Sequence, residues 1–356
     1  MFDHLPGTFQ EFYNSMLIET LTALRLNVHL DNYDKEAGDA LHGGVDRSAH
    51  FNTNLHAFYL DWFFRSREKL FQAYSQLDDE TSKRLFLHII AFRIGGHLSV
   101  RLPVEFKTRP QDLERFRAAE IPTESRIATE GMFGNLRHYD YEFEGRRYRV
   151  DCVGLEYYLY RKQYFFQRDG VTVRPEEGDF VVDGGACFGD TAVVFSNAVG
   201  PEGRVYSFDP VAEHIDILRF NVAQFVHSNV TPMPYGISDQ HVDAPLMVLN
   251  KYNPGFRVES AALPLRSLDE LVASGEIAKV DFIKLDVEGA ELGALKGAMD
   301  TIWRFKPKLA VSLYHNPDDL FDLVLFVRDK FPFYRLHIDQ YTIDYGETVL
   351  YCAPPA

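Results

Sequence analysis

The chain has 356 residues, 46% of them hydrophobic and 14% aromatic, and a formal net charge of -15. That length exceeds one typical domain and the composition is ample for a packed core, so one catalytic-sized domain with an appended one is expected. The acidic balance argues against gripping nucleic acid through general phosphate attraction, which needs clustered Lys and Arg.

The amino terminus, MFDHLPGTFQEFYNS, lacks the basic flank and continuous apolar stretch of a signal peptide. No window offers the ~20 apolar residues that cross a bilayer, so a soluble, cytoplasmic protein is expected. Residues 57–74 (AFYLDWFFRSREKLFQAY) and 81–98 (TSKRLFLHIIAFRIGGHL) place apolar residues at helical spacing. The polar, glycine-rich stretch 31–44 reads as an exposed loop. The histidines of this region form no HExxH or similar ligand pair, so ordinary surface or core roles fit them better than a metal. From residue 139 the period changes: YDYEFEGRRYRV alternates aromatic and polar side chains around Glu144-Gly145, a hairpin signal. Its Arg146, Arg147 and Arg149, with Arg137 and His138, read as a solvated face rather than an anion site.

Strands and helices then alternate. DFVVD (179–183) leads through a glycine turn into the helical DTAVVFSNAVG. RVYSFD (204–209) leads into AEHIDILRFNVAQFV, where Ile215, Leu218, Val222 and Phe225 share one helical face. A third strand is expected over VTPMPYGIS (230–238), followed by an excursion that turns near Asn253-Pro254-Gly255. SLDELVASG reads as a short helix, with Ser267 and Glu270 as a capping box and Gly275 as its left-handed stop. Strand four is VDFIKLDV, strand five is KLAVSLY (308–314), and GAELGALKGAMDTIWRF between them is helical. PDDLFDLVLFVRDKF precedes the two last strands, YRLHID and TVLYCA. Their short connection suits antiparallel neighbours, since a parallel crossover needs a dozen residues. The expected sheet is therefore mostly parallel, with one antiparallel strand at its end. By pattern the chain divides into a mainly helical segment 1–135, a β hairpin and linker 136–175, and an α/β segment 176–356. Cys152, Cys187 and Cys352 are an odd number without paired spacing, which suits a reducing compartment.

The turn after the first strand of the α/β segment is DGGACFGDT (183–191), in which Gly184, Gly185 and Gly189 let backbone approach a ligand. Twenty residues beyond Gly189, Asp209 ends strand two, the usual place for an acid that accepts ribose hydroxyls. Three readings meet here: a turn that merely joins strand and helix, a nicotinamide dinucleotide site, and a site for S-adenosylmethionine. A nicotinamide enzyme would prefer a full GxGxxG, whereas the spacing here is Gly184, Ala186, Gly189. Asp183 on the strand would oppose a diphosphate but suits the amino group of a methionine-like tail. Where strand order reverses beside strand one, ligands bind over the carboxyl ends of the strands. That places Asp286, at the end of strand four, beside the glycine loop, and Asp281 at the remote edge.

The motifs VVDGGACFGDT, SFDP, GISD (236–239) and FIKLDVEGAE, followed by KPKLAVSLYHNPDDL, resemble in kind and order the FkbM-type S-adenosylmethionine-dependent methyltransferases. The resemblance covers about half the chain, residues 150–356. It implies a class I methyltransferase fold: a Rossmann-like, seven-stranded, mostly parallel sheet with an antiparallel last strand. It also implies methylation of a hydroxyl on a sugar, glycan or secondary metabolite. Asp183, Gly184, Gly185, Ala186, Gly189, Asp190 and Thr191 would contact the methionine part, Asp209 the ribose, and Ser238 and Asp239 the adenine side. Asp286 and Glu288 would lie near the methionine amino group and the acceptor. Many family members carry a glutamate in strand five, where this chain has Ser312.

An acceptor hydroxyl has to lose a proton, and His315 at the carboxyl end of strand five is the candidate general base, with His337 as a fallback. An oxygen-rich divalent-metal site from Asp286, Glu288, His315 and Asp318 is a further reading. For Glu291, placement in a helix's first turn is explanation enough. The amino-terminal helices can cover the site, recognise the acceptor or form a homo-oligomer interface. Outside the methyltransferase reading stand a nicotinamide-dependent oxidoreductase and a non-catalytic scaffold of the same fold.

Overall fold

The computed structural model describes residues 1–26, 29, 53–104, 110–129, 135–245 and 263–355. The loop read at 31–44 and the turn near Asn253-Pro254-Gly255 lie outside the described residues. The chain divides into two compact units, Met1–Thr108 with Ser312–Ala356, and Arg109–Val311. Among the described residues no helix is long and apolar enough to cross a membrane.

In the first unit, α1 (Phe9–Leu26), α2 (Thr53–Gln76) and α3 (Glu80–Gly95) come first in the chain. Phe9 and Phe12 of α1 pack on Phe71 of α2, with ring centroids 5.8 and 5.5 Å apart. Every residue of α3 from Leu85 to Gly95 is buried, as expected of a helix apolar on all sides. Asp79 caps α3 by accepting from Ser82 N at 2.8 Å.

The second unit opens with α4 (Pro110–Ala119) and an antiparallel sheet of β1 (Thr123–Ala128), β2 (Asn135–Phe143) and β3 (Arg146–Cys152). The predicted hairpin is β2–β3, and Glu144 and Gly145 both have positive φ, 50° and 73°. Such a pair of left-handed residues matches the twist of the flanking strands. Arg147 and Arg149 fork around Asp140 at 2.6 and 3.0 Å, so two cations of this face are already paired. A short helix α5 (Glu156–Leu159) and the hairpin β4 (Phe166–Arg168) and β5 (Val171–Val173) follow.

The α/β part then runs β6 (Phe180–Gly184), α6 (Asp190–Val199), β7 (Arg204–Phe208), α7 (Ala212–Val222) and β8 (Val230–Met233). The short parallel pair β9 (Gly236–Ile237) and β10 (Leu265–Arg266) comes next, then α8 (Leu268–Ala273) and β11 (Phe282–Leu285). Helices α9 (Glu291–Lys296) and α10 (Met299–Phe305) precede β12 (Lys308–Ser312). The chain ends in α11 (Asp319–Lys330), β13 (Arg335–Gln340) and β14 (Thr348–Ala353).

Seven strands hydrogen-bond in the order β13-β14-β12-β11-β6-β7-β8. β12, β11, β6, β7 and β8 are parallel, and β14 is antiparallel to β13. The last strand is thus antiparallel as expected, but it lies inside the sheet and β13 takes the edge. Strand order reverses at β6, whose neighbours are β7 and β11. Pro232 within β8 is tolerated because β8 is the opposite edge and needs no further donor.

Two expected elements are broken. The third strand divides, with β8 in the main sheet and β9 paired to β10 instead. The helix expected over 289–305 divides at Gly297, where an added Cβ would stand 2.0 Å from the carbonyl oxygen of Ser238. On α7, Ile215 and Leu218 are fully buried with Ala186 and Ala192, and Val222 and Phe225 pack on that cluster. Ser267 caps α8 by accepting from Glu270 N at 3.1 Å, and Gly275 follows with φ 81°.

Candidate cofactor-binding site

All the expected cofactor residues fall in the unit Arg109–Val311. The register sets Asp183 opposite Lys284 and Gly184 opposite Leu285, so the glycine turn leaves β6 against the end of β11. Gly185 has φ 81°, and a Cβ there would meet the Asp286 carbonyl oxygen at 1.8 Å. Gly189 has φ 95°, and its Cβ would meet Leu218 Cδ1 at 2.7 Å. These glycines are therefore demanded first by chain-to-chain packing, before any ligand. The amides of Gly185 and Ala186 both donate to Phe208 O at 3.0 Å, which fixes the loop to β7.

The chemistry under the loop is a charge cluster. Asp183 is fully buried, and its Oδ2 accepts from Thr191 Oγ1 at 2.9 Å and Ser207 Oγ at 3.4 Å. Its Oδ1 lies 3.3 Å from Lys284 Nζ. Lys284 is 1% exposed and donates to Gly185 O at 2.7 Å. Burial alone would depress its pKa, but Asp183, Asp286 and Asp190 outweigh that and hold the ammonium above its ordinary value. Asp190, at the start of α6, is half-buried, and burial pushes its carboxyl up to about 6. Thr191 N donates to its Oδ1 at 2.9 Å and Tyr158 OH to its Oδ2 at 3.4 Å. Asp286 accepts from Tyr164 OH at 2.9 Å. Three carboxylates thus stand against one ammonium.

At the end of β7, Asp209 is 5% exposed. Its carboxylate accepts from Cys187 N (3.1 Å), Val211 N (2.9 Å) and His214 Nδ1 (3.1 Å). A carboxylate offers about four lone-pair sites, and these three bonds take three of them. Ser238 follows β9, its Oγ 3.3 Å from Asp239 Oδ1 and 3.5 Å from where a Cβ on Gly293 would lie.

The four acids of DFIKLDVEGAE separate. Asp281 accepts from Phe180 N at 2.7 Å and pairs with Lys279 at 2.9 Å, at the amino end of the strand. Asp286 joins the charge cluster. Glu288 is exposed, with φ 55°. Glu291 begins α9, but it is 1% exposed and reaches back to accept from Val287 N at 2.9 Å and Gly289 N at 3.5 Å. It therefore shapes the 287–289 turn, a task the helix-end argument did not foresee.

His315 and Asp318 belong to the other unit. His315 follows β12, half-buried, its ring 4.2 Å from that of Tyr314. Arg93 of α3 is 2% exposed and donates to the carbonyls on either side of it, Pro317 O at 2.9 Å and Leu313 O at 3.4 Å. Trp62 Nε1 donates to Asp318 Oδ1 at 2.8 Å. His337 is 4% exposed, with Nδ1 2.6 Å from Asp79 Oδ2.

Sequence reasoning missed Lys284, Tyr158, Tyr164 and Arg93. A lysine between Ile283 and Leu285, and an arginine within LFLHIIAFRIGG, are legible signals, because a cation in an apolar run must be paired if it is buried. The tyrosines carry no comparable signal.

The strand order, the reversal at β6 and the acid-floored glycine turn are those of a class I methyltransferase fold. The crystal structure of Methyltransferase FkbM from Methylobacillus flagellatus KT superimposes with TM-score 0.52 at 21% identity, over 82% of this chain and 59% of that one. Residues 183–341 match the Methyltransferase FkbM domain family. A relative, the hexuronic acid methyltransferase AglP of Haloferax volcanii, is 31% identical over 131 residues. That match takes in 36% of this chain and about half, 53%, of the relative.

Proposed function

We propose that the chain is an S-adenosylmethionine-dependent methyltransferase that methylates a hydroxyl group of a sugar or glycan. The observation that carries the cofactor is the excess of acid under the glycine loop among the described residues, Asp183, Asp190 and Asp286 against the ammonium of Lys284. A floor of that sign favours a ligand bearing a sulfonium and an ammonium and opposes a dinucleotide's diphosphate. The lone-pair site remaining on Asp209 suits one ribose hydroxyl. The sugar acceptor is supported by the named activity of the Haloferax relative.

When bound, S-adenosylmethionine supplies an activated methyl group. The chain's own residues have two tasks. One is to hold acceptor and donor in line, for which positioning supplies about 7–11 kcal/mol. The other is to take the hydroxyl proton, which this reading gives to the His315 imidazole at about 10²–10⁴-fold in rate.

Calorimetry with S-adenosylmethionine, S-adenosylhomocysteine and NAD tests the cofactor, and labelled methyl transfer to hexuronic acids and related sugars tests the acceptor. Selective NAD binding would sink the proposal, and binding of none of the three would favour a scaffold. His315→Ala should keep cofactor affinity and lose turnover; unchanged turnover removes the base assignment.

A further inference from the structure

The segment between the β3 strand and β6 contributes to the charge cluster under the glycine loop in a way no motif announces. Tyr164 is fully buried and has φ 68°, and Lys162 two residues earlier has φ 61°. Bulky residues rarely hold the left-handed region, and such conformations persist where surrounding contacts over-determine them. Those contacts are on both sides of Tyr164. Its backbone run is tied by Gln163 N to Tyr157 O at 3.0 Å and Phe165 N to Lys162 O at 2.9 Å. Its ring stacks on Tyr158, with centroids 6.0 Å apart and planes 17° off parallel, and meets Phe195 edge-on at 6.1 Å. Lys284 Nζ lies 5.6 Å from the ring centroid. Gln163, 1% exposed, donates from Nε2 to the Tyr164 hydroxyl at 3.3 Å. That leaves the phenolic proton for Asp286 at 2.9 Å. The stacked Tyr158 donates likewise to Asp190 at 3.4 Å. Two stacked tyrosines thus each donate a hydrogen bond to one of the cluster's half-buried acids.

We propose that Tyr164 is a positioning residue of the cofactor pocket, aiming the Asp286 carboxylate at the ammonium of the methionine end of S-adenosylmethionine, with Tyr158 stacked beside it as its brace. This rests on the cofactor reading above. A hydroxyl donor on Oδ2 restricts rotation of the carboxylate, and so sets the direction in which the group faces a cationic ligand. A carboxylate aimed in this way discriminates between ligands that carry the amino-acid tail and those that lack it. A purely structural role for Tyr164 would weaken all ligands of the pocket alike.

The test compares S-adenosylhomocysteine, which keeps the amino-acid tail, with 5′-methylthioadenosine, which lacks it, by calorimetry on the wild-type chain and on Tyr164→Phe. Phenylalanine keeps the stack and the packing and removes only the hydroxyl. Loss of a hydrogen bond to a charged group should weaken S-adenosylhomocysteine about tenfold or more and leave 5′-methylthioadenosine within about twofold. In an Asp286→Asn background the same Tyr164→Phe change should lose most of its effect on S-adenosylhomocysteine. Equal weakening of both ligands, or of neither, overturns the proposal while leaving the cofactor reading standing. If the wild-type chain binds neither ligand, the cofactor reading itself fails. Should Tyr164→Phe unfold, Gln163→Leu, which removes the Nε2 donor to that hydroxyl, should show the same ligand preference at smaller size, and its absence overturns the proposal.

Discussion

Replacing Gly185 by alanine sets a methyl carbon 1.8 Å from the carbonyl oxygen of Asp286. Carbon and oxygen settle at about 3.3 Å, so the β6 turn and the end of β11 must part by about 1.5 Å. That movement breaks Asp286 N to Gly184 O, now 3.1 Å, and Lys284 Nζ to Gly185 O, now 2.7 Å. The first is a neutral bond worth about 1 kcal/mol, and the second is charged and worth about 1.5–3 kcal/mol. Holding a residue with a Cβ at φ 81° adds about 1 kcal/mol. The total is about 3.5–5 kcal/mol. Gly145→Ala is the control, since Gly145 has φ 73° with nothing within 4 Å of the added carbon, and it should cost only the backbone share of about 1 kcal/mol. Urea unfolding followed by circular dichroism, with midpoints and slopes fitted for both variants, measures the difference. If the two variants differ by less than about 1 kcal/mol, the claim that backbone packing demands Gly185 is refuted.

Asp209→Ala removes the acceptor proposed for one ribose hydroxyl and should weaken S-adenosylhomocysteine about ten- to a hundredfold; unchanged affinity in calorimetry would withdraw the ribose role. Arg93→Leu leaves the carbonyls of Leu313 and Pro317 without their donor and should cost about 2–5 kcal/mol in urea unfolding; a loss under about 0.5 kcal/mol would contradict it. The Asp190 carboxyl, raised by burial from 3.8 to about 6, binds its proton more tightly folded than unfolded. Stability therefore falls as pH rises from about 4 to about 6 and stays lowered above that. Asp190→Asn should then stabilise the chain by about 1–3 kcal/mol at pH 7.5 and by little at pH 4; an equal gain at both values would show that this titration is not the cause.

Much of this was legible locally. Helical spacing located α2 and α3, the Glu144-Gly145 pair located the β2–β3 turn, and Ser267 with Gly275 bounded α8, because periodicity and turn chemistry act within a few residues. The third strand and the helix at Gly297 differ from the expectation because of distant neighbours. The strand breaks between Met233 and Gly236, where the chain leaves the main sheet to pair with β10, and the helix breaks where Gly297 packs against the Ser238 carbonyl; nothing within either segment records those neighbours. Glu291 was read through its place in the helix, while its carboxylate was committed to the preceding turn.

Sequence alone was enough for the alternation of strands and helices, the glycine turn, and acids at the carboxyl ends of β7 and β11. These follow from spacing, and spacing survives without coordinates. Only the tertiary structure decided what each acid is used for. Asp183 is neutralised by Lys284, Asp209 holds a loop amide and a histidine, and Asp286 accepts a hydrogen bond from a tyrosine 122 positions away. The reason is physical: a buried charge is settled by whichever partners the fold delivers to it, and in this chain those partners come from other elements.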